Sequence, residues 1–192
     1  MSSAYSVEGS RGTTVGYGGA VMATIGVSIA VPDPHGAVLR RFREGFGDPL
    51  AATIPSHITI LPPTVVAADE RERFEAHLRW VCDEIEPFEV HLRGTGTFRP
   101  VSPVVFVQLA AGIAQCEAIE AAVRSGPVSR ELDFNYHPHV TVAHHLPDEA
   151  LDRAFAELAG FEVRFTVDAV HLYEHGEDAV WRPVSRFDFA SG

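Results

Sequence analysis

The sequence predicts an α+β fold of two pseudo-symmetric lobes, with largely antiparallel sheets lining a central cleft and helices on the outside. One four-residue pattern occurs twice, as His57-Ile58-Thr59-Ile60 and His139-Val140-Thr141-Val142. The copies lie 82 residues apart, so each fits one half of a two-lobed domain. The predicted strands also follow one another without a regular β-α-β alternation, which favours antiparallel sheets with helices packed outside them.

Each copy of the pattern alternates polar and apolar residues, as does a strand with one buried face. Successive side chains on a strand point to opposite faces, so the histidine and threonine of each copy share a face, about 6–7 Å apart along it. The apolar residues between and after them are expected to fill a core behind the strand. Two imidazoles and two hydroxyls that face one cleft suit chemistry on a phosphate group.

Hydrophobic periodicity and turn residues predict the order β-α-β-α-β-β-α-β-α-β-β. The predicted strands are 23–31, 57–61 (ended by Pro62-Pro63), 88–92, 104–109, 138–143, 161–174 and 180–189. Four helices are predicted. The first follows Asp33-Pro34, the second begins at the cap Asp69, and the third covers 113–124. The fourth begins at Asp148, with Leu151, Phe155 and Leu158 facing inward. Residues 94–98, Gly-Thr-Gly-Thr-Phe, are predicted to form a loop.

Composition assigns residues 1–21 to a flexible tail and residues 22–190 to one bilobal domain. The tail lacks the apolar segment of a secretory signal, and no apolar run approaches the roughly 20 residues that a membrane span needs. Cys82 and Cys116 form neither a disulfide framework nor a zinc motif. We therefore expect two buried thiols in a cytoplasmic, monomeric protein with no membrane partner.

The formal charge of −11 argues against extended binding to duplex nucleic acid. A nucleotide, or one RNA end held in a local pocket, is compatible with this charge. All 15 basic residues are arginine, which excludes lysine chemistry such as a Schiff base. Cationic phosphate contacts must then come from arginine or histidine.

The two motifs give the chain a resemblance to a known family, the two-histidine (2H) phosphoesterases, which include 2′–5′ RNA ligase-like proteins and cyclic nucleotide phosphodiesterases. The family signature is a pair of His-x-Thr/Ser-hydrophobic motifs roughly 80 residues apart. Here it lies in residues 55–61 (Pro-Ser-His-Ile-Thr-Ile-Leu) and 136–142 (Tyr-His-Pro-His-Val-Thr-Val). The element order over 22–190 also matches. In the ligase-like branch an arginine follows the second motif, whereas here it continues as Ala143-His144-His145.

The resemblance implies that His57 and His139 are the catalytic acid and base and that Thr59 and Thr141 bind the phosphate. The expected substrate is a nucleotide or RNA end with a 2′,3′-cyclic phosphate or a 2′–5′ linkage, with no cofactor and no metal. Histidine has an unperturbed pKa near 6.5 and suits either proton-transfer role at neutral pH. The pattern leaves open which histidine is the base.

Five further residues are candidates for substrate binding. Phe98 is a candidate for stacking on a base, and Arg99 and Arg130 for contacting phosphate. Tyr136 and His144 lie beside the second motif and complete the set. By contrast, Tyr173 and Trp181 on the closing hairpin are interpreted as core residues.

Two alternatives remain open from the sequence. One is a non-catalytic module that binds an RNA end or a nucleotide in the same cleft. The other is a metal-dependent hydrolase that uses a cluster of four histidines, His137, His139, His144 and His145. This cluster lacks carboxylate or cysteine residues at the usual ligand spacing. Turnover in the presence of a chelator separates these possibilities.

Overall fold

A computed structural model describes residues 22–128, 134–176, 178 and 180–190. Within these residues the strands are β1 (Met22–Ala30), β2 (His57–Ala67), β3 (Phe88–Thr97), β4 (Val104–Ala111), β5 (His139–His144), β6 (Glu162–Val167), β7 (Ala169–His175) and β8 (Trp181–Asp188). The helices are α1 (His35–Phe46), α2 (Ala68–Asp83), α3 (Ile113–Arg124) and α4 (Asp148–Glu157). The predicted tail, residues 1–21, lies outside the described residues, and its separation from a domain that begins at residue 22 stays a prediction.

The eight strands form one sheet in the order β6-β3-β4-β5-β2-β1-β7-β8, and neighbouring described strands are antiparallel. The two motif strands, β2 and β5, meet at its centre through the registered pair Ile58–Val140. Four strands extend on each side of this junction, which confirms the predicted α+β class with two related halves.

One hydrophobic cluster joins the helices to a single face of the sheet. Ile58 and Val140 are fully buried in it, together with Leu39 of α1 and Phe74 of α2. The histidine and threonine side chains alternate with these residues, so they lie on the opposite face. None of the described helices is long and apolar enough to cross a membrane.

Two strands continue well beyond the ends that the sequence predicts. β2 continues through Pro62-Pro63 to Ala67, because the ladder with β1 has a register shift there and the prolines have no registered partner. β3 continues through the predicted Gly-Thr-Gly-Thr loop to Thr97. It does so with a register shift between Leu92 and Thr95, where Gly94 has a φ of +71°.

The predicted strand 161–174 is in fact two strands, β6 and β7, with only Asp168 between them. β6 pairs with β3 in one half of the sheet, and β7 pairs with β1 in the other. The buried residues change phase at this point, from Phe165 and Val167 to Val170 and Leu172. This slip in the alternation is the sequence signal for the break.

Two helix details also differ. α2 begins at Ala68, so Asp69 lies in its first turn and is not the N-cap. Glu70 stabilises this helix start by accepting a hydrogen bond from the Ala67 N–H at 3.1 Å. The prediction that Phe155 faces inward is wrong, since Phe155 is 40% exposed. Ala154 faces the core instead, between the predicted positions Leu151 and Leu158.

Gly96 on β3 provides the space that the ring of Phe106 occupies on β4. The two residues are partners across the strands, and a Cβ at residue 96 would lie 2.5 Å from Cε2 of Phe106. We expect Gly96→Ala to lower the free energy of unfolding by about 1–3 kcal/mol, because the buried ring must move. Equilibrium unfolding in urea measures this change.

Gly45→Ala is the matched control. A Cβ at residue 45 meets no atom within 4 Å, and the residue lies inside α1. Alanine is preferred over glycine in a helix, so the variant should be as stable as the parent or more stable by up to about 1 kcal/mol. Equal stability of the residue-96 variant and the parent would contradict the close packing of Phe106 on β3.

Candidate active site

The register at the centre of the sheet brings the two motifs together. Ile58 pairs with Val140, so continuing the antiparallel register by one residue places His57 opposite Thr141 and His139 opposite Thr59. Side chains directly opposite each other have Cβ atoms about 4.5–5.5 Å apart. All four side chains are half-buried on the face away from the core. The same face of the sheet therefore carries two imidazoles and two hydroxyls side by side.

The imidazole of each motif is held by a backbone carbonyl two residues upstream. His57 Nδ1 lies 2.7 Å from the Pro55 oxygen, and His139 Nδ1 lies 2.7 Å from the His137 oxygen. A carbonyl oxygen can only accept, so Nδ1 carries the proton in both rings and donates it. The Nε2 atom of each ring is then the one that can exchange a proton with a ligand. The two sites have the same tautomer and the same support.

Burial lowers the pKa of both histidines. Desolvation is the main cause at His57, with the charge of Arg43 as a smaller contribution that acts in the same direction. The pKa of His139 is lowered to about 4: desolvation is the largest cause, the hydrogen bond to the His137 carbonyl opposes it, and the charges of His137 and His57 add smaller decreases. Both rings are neutral near pH 7 in the ligand-free cleft. A bound anion would raise both pKa values.

Both motif strands have a bulge directly after the threonine. In the ladder between β1 and β2, Ser28 pairs with Thr59 but Val27 pairs with Leu61. In the ladder between β4 and β5, Phe106 pairs with Thr141 but Val105 pairs with Ala143. Each bulge leaves two consecutive apolar residues buried, namely Ile60-Leu61 and Val142-Ala143. Such bulges are common beside active sites because they redirect side chains.

Tyr136 precedes the second motif in the chain and contacts the backbone of the first motif. Its hydroxyl donates a hydrogen bond to the backbone oxygen of Thr59 at 2.9 Å. Burial raises the pKa of this hydroxyl, so it stays protonated and remains a donor. The structure thus gives Tyr136 a positioning contact, and the predicted contact with substrate stays a prediction.

Phe98 lies beside the histidine of the second motif, and its predicted contact with substrate stays a prediction. Its ring is 5.0 Å from the ring of His139 in an edge-on arrangement and 4.5 Å from the ring of Phe106. Phe106 is itself 5.0 Å from His139, and His137 packs against both phenylalanines. Aromatic side chains therefore surround His139.

The structure does not bring the other candidates to the histidines. Arg99 donates a hydrogen bond to Asp152 of α4 at 2.7 Å and lies 3.8 Å from Asp148, so it would have to leave two carboxylates to reach a phosphate. His144 ends β5, about 16 Å along the strand from His139, and packs against His145 with the ring centres 3.9 Å apart. Arg130 lies outside the described residues.

The four-histidine cluster does not assemble, since His144 and His145 lie at the far end of β5 from His139. Among the described residues, no group of three or more His, Cys, Asp or Glu side chains is arranged to hold a metal ion. Cys82 and Cys116 are buried free thiols, as predicted, and burial raises the pKa of each to about 12.

The sequence interpretation missed several residues around the first motif. Tyr173 and Trp181, predicted to be core residues, line an open pocket beside His57 together with Ser28. Arg43, buried in α1, donates hydrogen bonds to Asp48 at 2.8 Å and to the Ile54 oxygen at 2.5 Å, and so holds the segment that leads into the motif. A lone arginine on a helix gives no sequence signal for this role.

Comparison with known proteins places these features in a family. The model of the 2′-5′ RNA ligase superfamily matches residues 31–179, which include both motifs. A Bacillus cytotoxicus protein named as a phosphoesterase is 26% identical over 149 residues, covering 76% of this chain and 85% of that protein. A Geobacillus kaustophilus protein with the same designation is 25% identical over 138 residues, covering 71% of this chain and 79% of its own length.

Solved structures share the fold at low sequence identity. Escherichia coli LigT, crystallised with 3′-AMP, has a TM-score of 0.61 and 16% identity, covering 89% of this chain and 100% of LigT. TT0787 of Thermus thermophilus has a TM-score of 0.62 and 20% identity, covering 86% and 97%. Because the family model matches more than half of its residues, the chain belongs to the 2′-5′ RNA ligase superfamily of two-histidine phosphoesterases.

Proposed function

We propose that the protein is a metal-independent phosphoesterase that acts on a ribose 2′-phosphodiester, by hydrolysis of a 2′,3′-cyclic phosphate or by reversible 2′–5′ ligation. The observation that carries this proposal is the matched pair of imidazoles. Each ring has its Nδ1 proton held by an equivalent carbonyl, which leaves Nε2 as the atom that can exchange a proton with a ligand. Two such groups on opposite sides of a phosphate can accept one proton and deliver another.

Opening of a 2′,3′-cyclic phosphate requires water to attack phosphorus in line while a ribose oxygen leaves. One imidazole takes a proton from water, and the other gives a proton to the leaving oxygen. Each transfer by a positioned group is typically worth about 10²–10⁴-fold in rate. The hydroxyls of Thr59 and Thr141 are placed to donate hydrogen bonds to the non-bridging oxygens, where negative charge increases in the transition state. Ligation is the reverse reaction, with a ribose hydroxyl in place of water.

The comparisons support a nucleotide substrate. Structures of E. coli LigT have been determined with 3′-AMP, ATP and NADP⁺, so that protein accommodates nucleotides. A 3′-nucleotide is the kind of product that opening of a 2′,3′-cyclic phosphate can yield. We include in this proposal that the protein acts in the cytoplasm, as a monomer, on a nucleotide or an RNA end.

A non-catalytic binding module is the second candidate, because the neutral imidazoles and the open pocket also suit ligand binding. The two candidates differ in how alanine substitutions combine. If base and acid act in one displacement, His57→Ala removes most of the chemical acceleration. Adding His139→Ala to the His57→Ala variant then lowers the rate far less than His139→Ala lowers it in the parent protein. Single-turnover cleavage of adenosine 2′,3′-cyclic phosphate in excess EDTA, beside calorimetric binding of 3′-AMP, measures both properties.

The threonines should have milder effects. Thr59→Ala or Thr141→Ala is expected to lower turnover by about 10–10³-fold, since each removes one donor to the developing charge. His145→Asn is the control, because His145 is distant from the motifs and its φ of +51° is one that asparagine tolerates. If the parent and the double alanine variant both cleave only at the uncatalysed background rate and the variant no longer binds 3′-AMP, the protein is a binding module. Zinc-dependent activity that the residue-145 control abolishes would indicate the metal-dependent alternative.

The pH dependence of activity should reflect the lowered pKa values. The active free enzyme needs one neutral and one protonated imidazole, so it is most populated between two pKa values that both lie below 6.5. We therefore expect a bell-shaped profile of kcat/KM with its optimum on the acid side of pH 6.5. The two limbs belong to the pair and not to either residue.

The alkaline limb of kcat should lie at higher pH than that of kcat/KM, because the bound phosphodiester anion favours the protonated imidazole. Steady-state rates between pH 4 and 9 in buffers of constant ionic strength test both expectations. A kcat/KM that rises steadily with pH would contradict acid–base catalysis by this pair.

A further inference from the structure

Arg43 and Asp48 form a buried ion pair behind the segment that leads into the first motif. Their side chains are 7% and 11% exposed, and Arg43 Nε donates a hydrogen bond to Asp48 Oδ2 at 2.8 Å. A buried ion pair commonly gives no more stability than apolar residues of similar volume, because both charges must leave water. Stability alone therefore does not account for the presence of this pair.

The segment 47–56, which joins α1 to β2 without helix or strand, is organised around the pair. At its start, Asp48 N donates a hydrogen bond to Arg43 O at 3.0 Å, and Leu50 N donates one to Asp48 Oδ1 at 2.9 Å. Ile54 N then donates to Leu50 O at 2.9 Å. At the end of the segment, Arg43 Nη1 donates to Ile54 O at 2.5 Å. One arginine thus holds both ends of the connection.

The contact with Ile54 acts directly on the residue that holds His57. The Ile54 carbonyl belongs to the planar peptide unit before Pro55, so the hydrogen bond from Arg43 holds the plane of that unit. The proline ring fixes its own φ at about −65°. The next carbonyl along the chain, that of Pro55, accepts the Nδ1 proton of His57 at 2.7 Å. The direction of this carbonyl therefore depends on the peptide unit that Arg43 holds.

The other side of the Pro55 carbonyl is held by the sheet. Val31, just after β1, donates a backbone hydrogen bond to the Ser56 carbonyl at 3.0 Å. The peptide units before and after the Pro55 carbonyl are thus both anchored, one by an arginine side chain and one by backbone. Of these two anchors, only the arginine can be removed by a side-chain substitution.

The second motif has a different support. The ring of His139 is held by the His137 carbonyl, and the approach to this motif is joined to the backbone of the first motif by the Tyr136 hydroxyl. The charge of Arg43 contributes to the lowered pKa of His57 but is not among the causes at His139. The ion pair therefore acts on one of the two rings.

We propose that Arg43 is a positioning residue for the first motif: paired with Asp48, it holds the Ile54 carbonyl and thereby the carbonyl that sets the tautomer and orientation of His57. Arg43 is itself buried in α1 and acts only through these groups. The expected effect on turnover rests on the proposed function. The expected effect on the ring concerns the protein without substrate and does not.

Two variants remove the donor to the Ile54 carbonyl and differ in the charge that they leave. Arg43→Met also leaves Asp48 buried without its partner, which is strongly destabilising. The double variant Arg43→Met/Asp48→Leu removes both charges, and such a replacement is often neutral or stabilising. The amide of Leu50, which loses its acceptor in the double variant, is exposed to water. Unfolding in urea shows which variants are folded, and the double variant keeps the test decisive if the single variant is not.

The tautomer of His57 is the direct readout. Long-range ¹H–¹⁵N spectra at neutral pH distinguish protonated from unprotonated ring nitrogens, and His57→Gln and His139→Gln assign the signals. In the parent protein both rings should have the proton on Nδ1. In both Arg43 variants His57 should become a mixture of tautomers, whereas His139 should keep the parent tautomer. A general loss of stability would not select one ring.

Turnover of adenosine 2′,3′-cyclic phosphate is the second readout. We expect kcat of the Arg43 variants to fall about 10- to 100-fold, since a displacement of about 1 Å in the site can cost about 10²-fold. KM should change less, because Arg43 is buried. Arg40→Met is the matched control: Arg40 lies on the same helix, and its ion pair with Glu44 is about half exposed on both sides. This control should keep the kcat and both tautomers of the parent.

The outcomes distinguish the inference from the proposed function. If the parent cleaves no cyclic phosphate but the variants change the tautomer of His57 alone, the phosphoesterase proposal fails and the positioning contact stands. If the parent cleaves the substrate and a folded variant keeps both the tautomer and the kcat, the phosphoesterase proposal stands and the inference is wrong. The inference is also overturned if kcat falls while the His57 tautomer is unchanged, if the tautomer changes while kcat is unchanged, or if both histidines change together.

Discussion

The contact between Ile58 and Val140 at the centre of the sheet is the constraint on which the site depends. This registered pair joins the two motif strands and fixes which residues face each other. A slip of one residue would turn every side chain of a strand to the other face, burying the imidazole and exposing the isoleucine or valine. Because both apolar side chains are fully buried, the hydrophobic core selects the register that forms the cleft.

Burial and hydrogen bonding act in opposite directions on the pKa values of the two motif histidines. Desolvation lowers the pKa of His57 and His139, and the carbonyls that hold Nδ1 raise it by a smaller amount. The two imidazoles are therefore neutral near pH 7, and their orientation is fixed by the hydrogen bonds at Nδ1. An anion bound beside the rings would favour protonation of an imidazole, so anion binding and proton uptake would be linked.

The centre of the site was predictable from the sequence, because strand alternation gives the shared face of His57 and Thr59 directly. The residues around this centre were harder to predict from the sequence. Alternation gives two faces without saying which is the core, so Tyr173 and Trp181 were assigned to the wrong surroundings. Long-range strand pairing could not be predicted from the sequence either. The strands on either side of Asp168 lie in different halves of the sheet, and the sequence indicates this only through a shift in the alternation of apolar residues.

The single residue between β6 and β7 has a consequence for the shape of the whole sheet. These strands occupy the first and seventh places in the strand order, which in a flat sheet would lie about 29 Å apart at 4.8 Å per strand. Val167 and Ala169 are two residues apart in the chain and can be separated by no more than about 7 Å. The sheet must curl until its distant strands nearly meet, and the stacking of Phe88 on Phe189, 6.1 Å between ring centres, occurs where they do. Chain connectivity, more than any side chain in the cleft, thus imposes the curvature of the surface on which the histidines and the pocket lie.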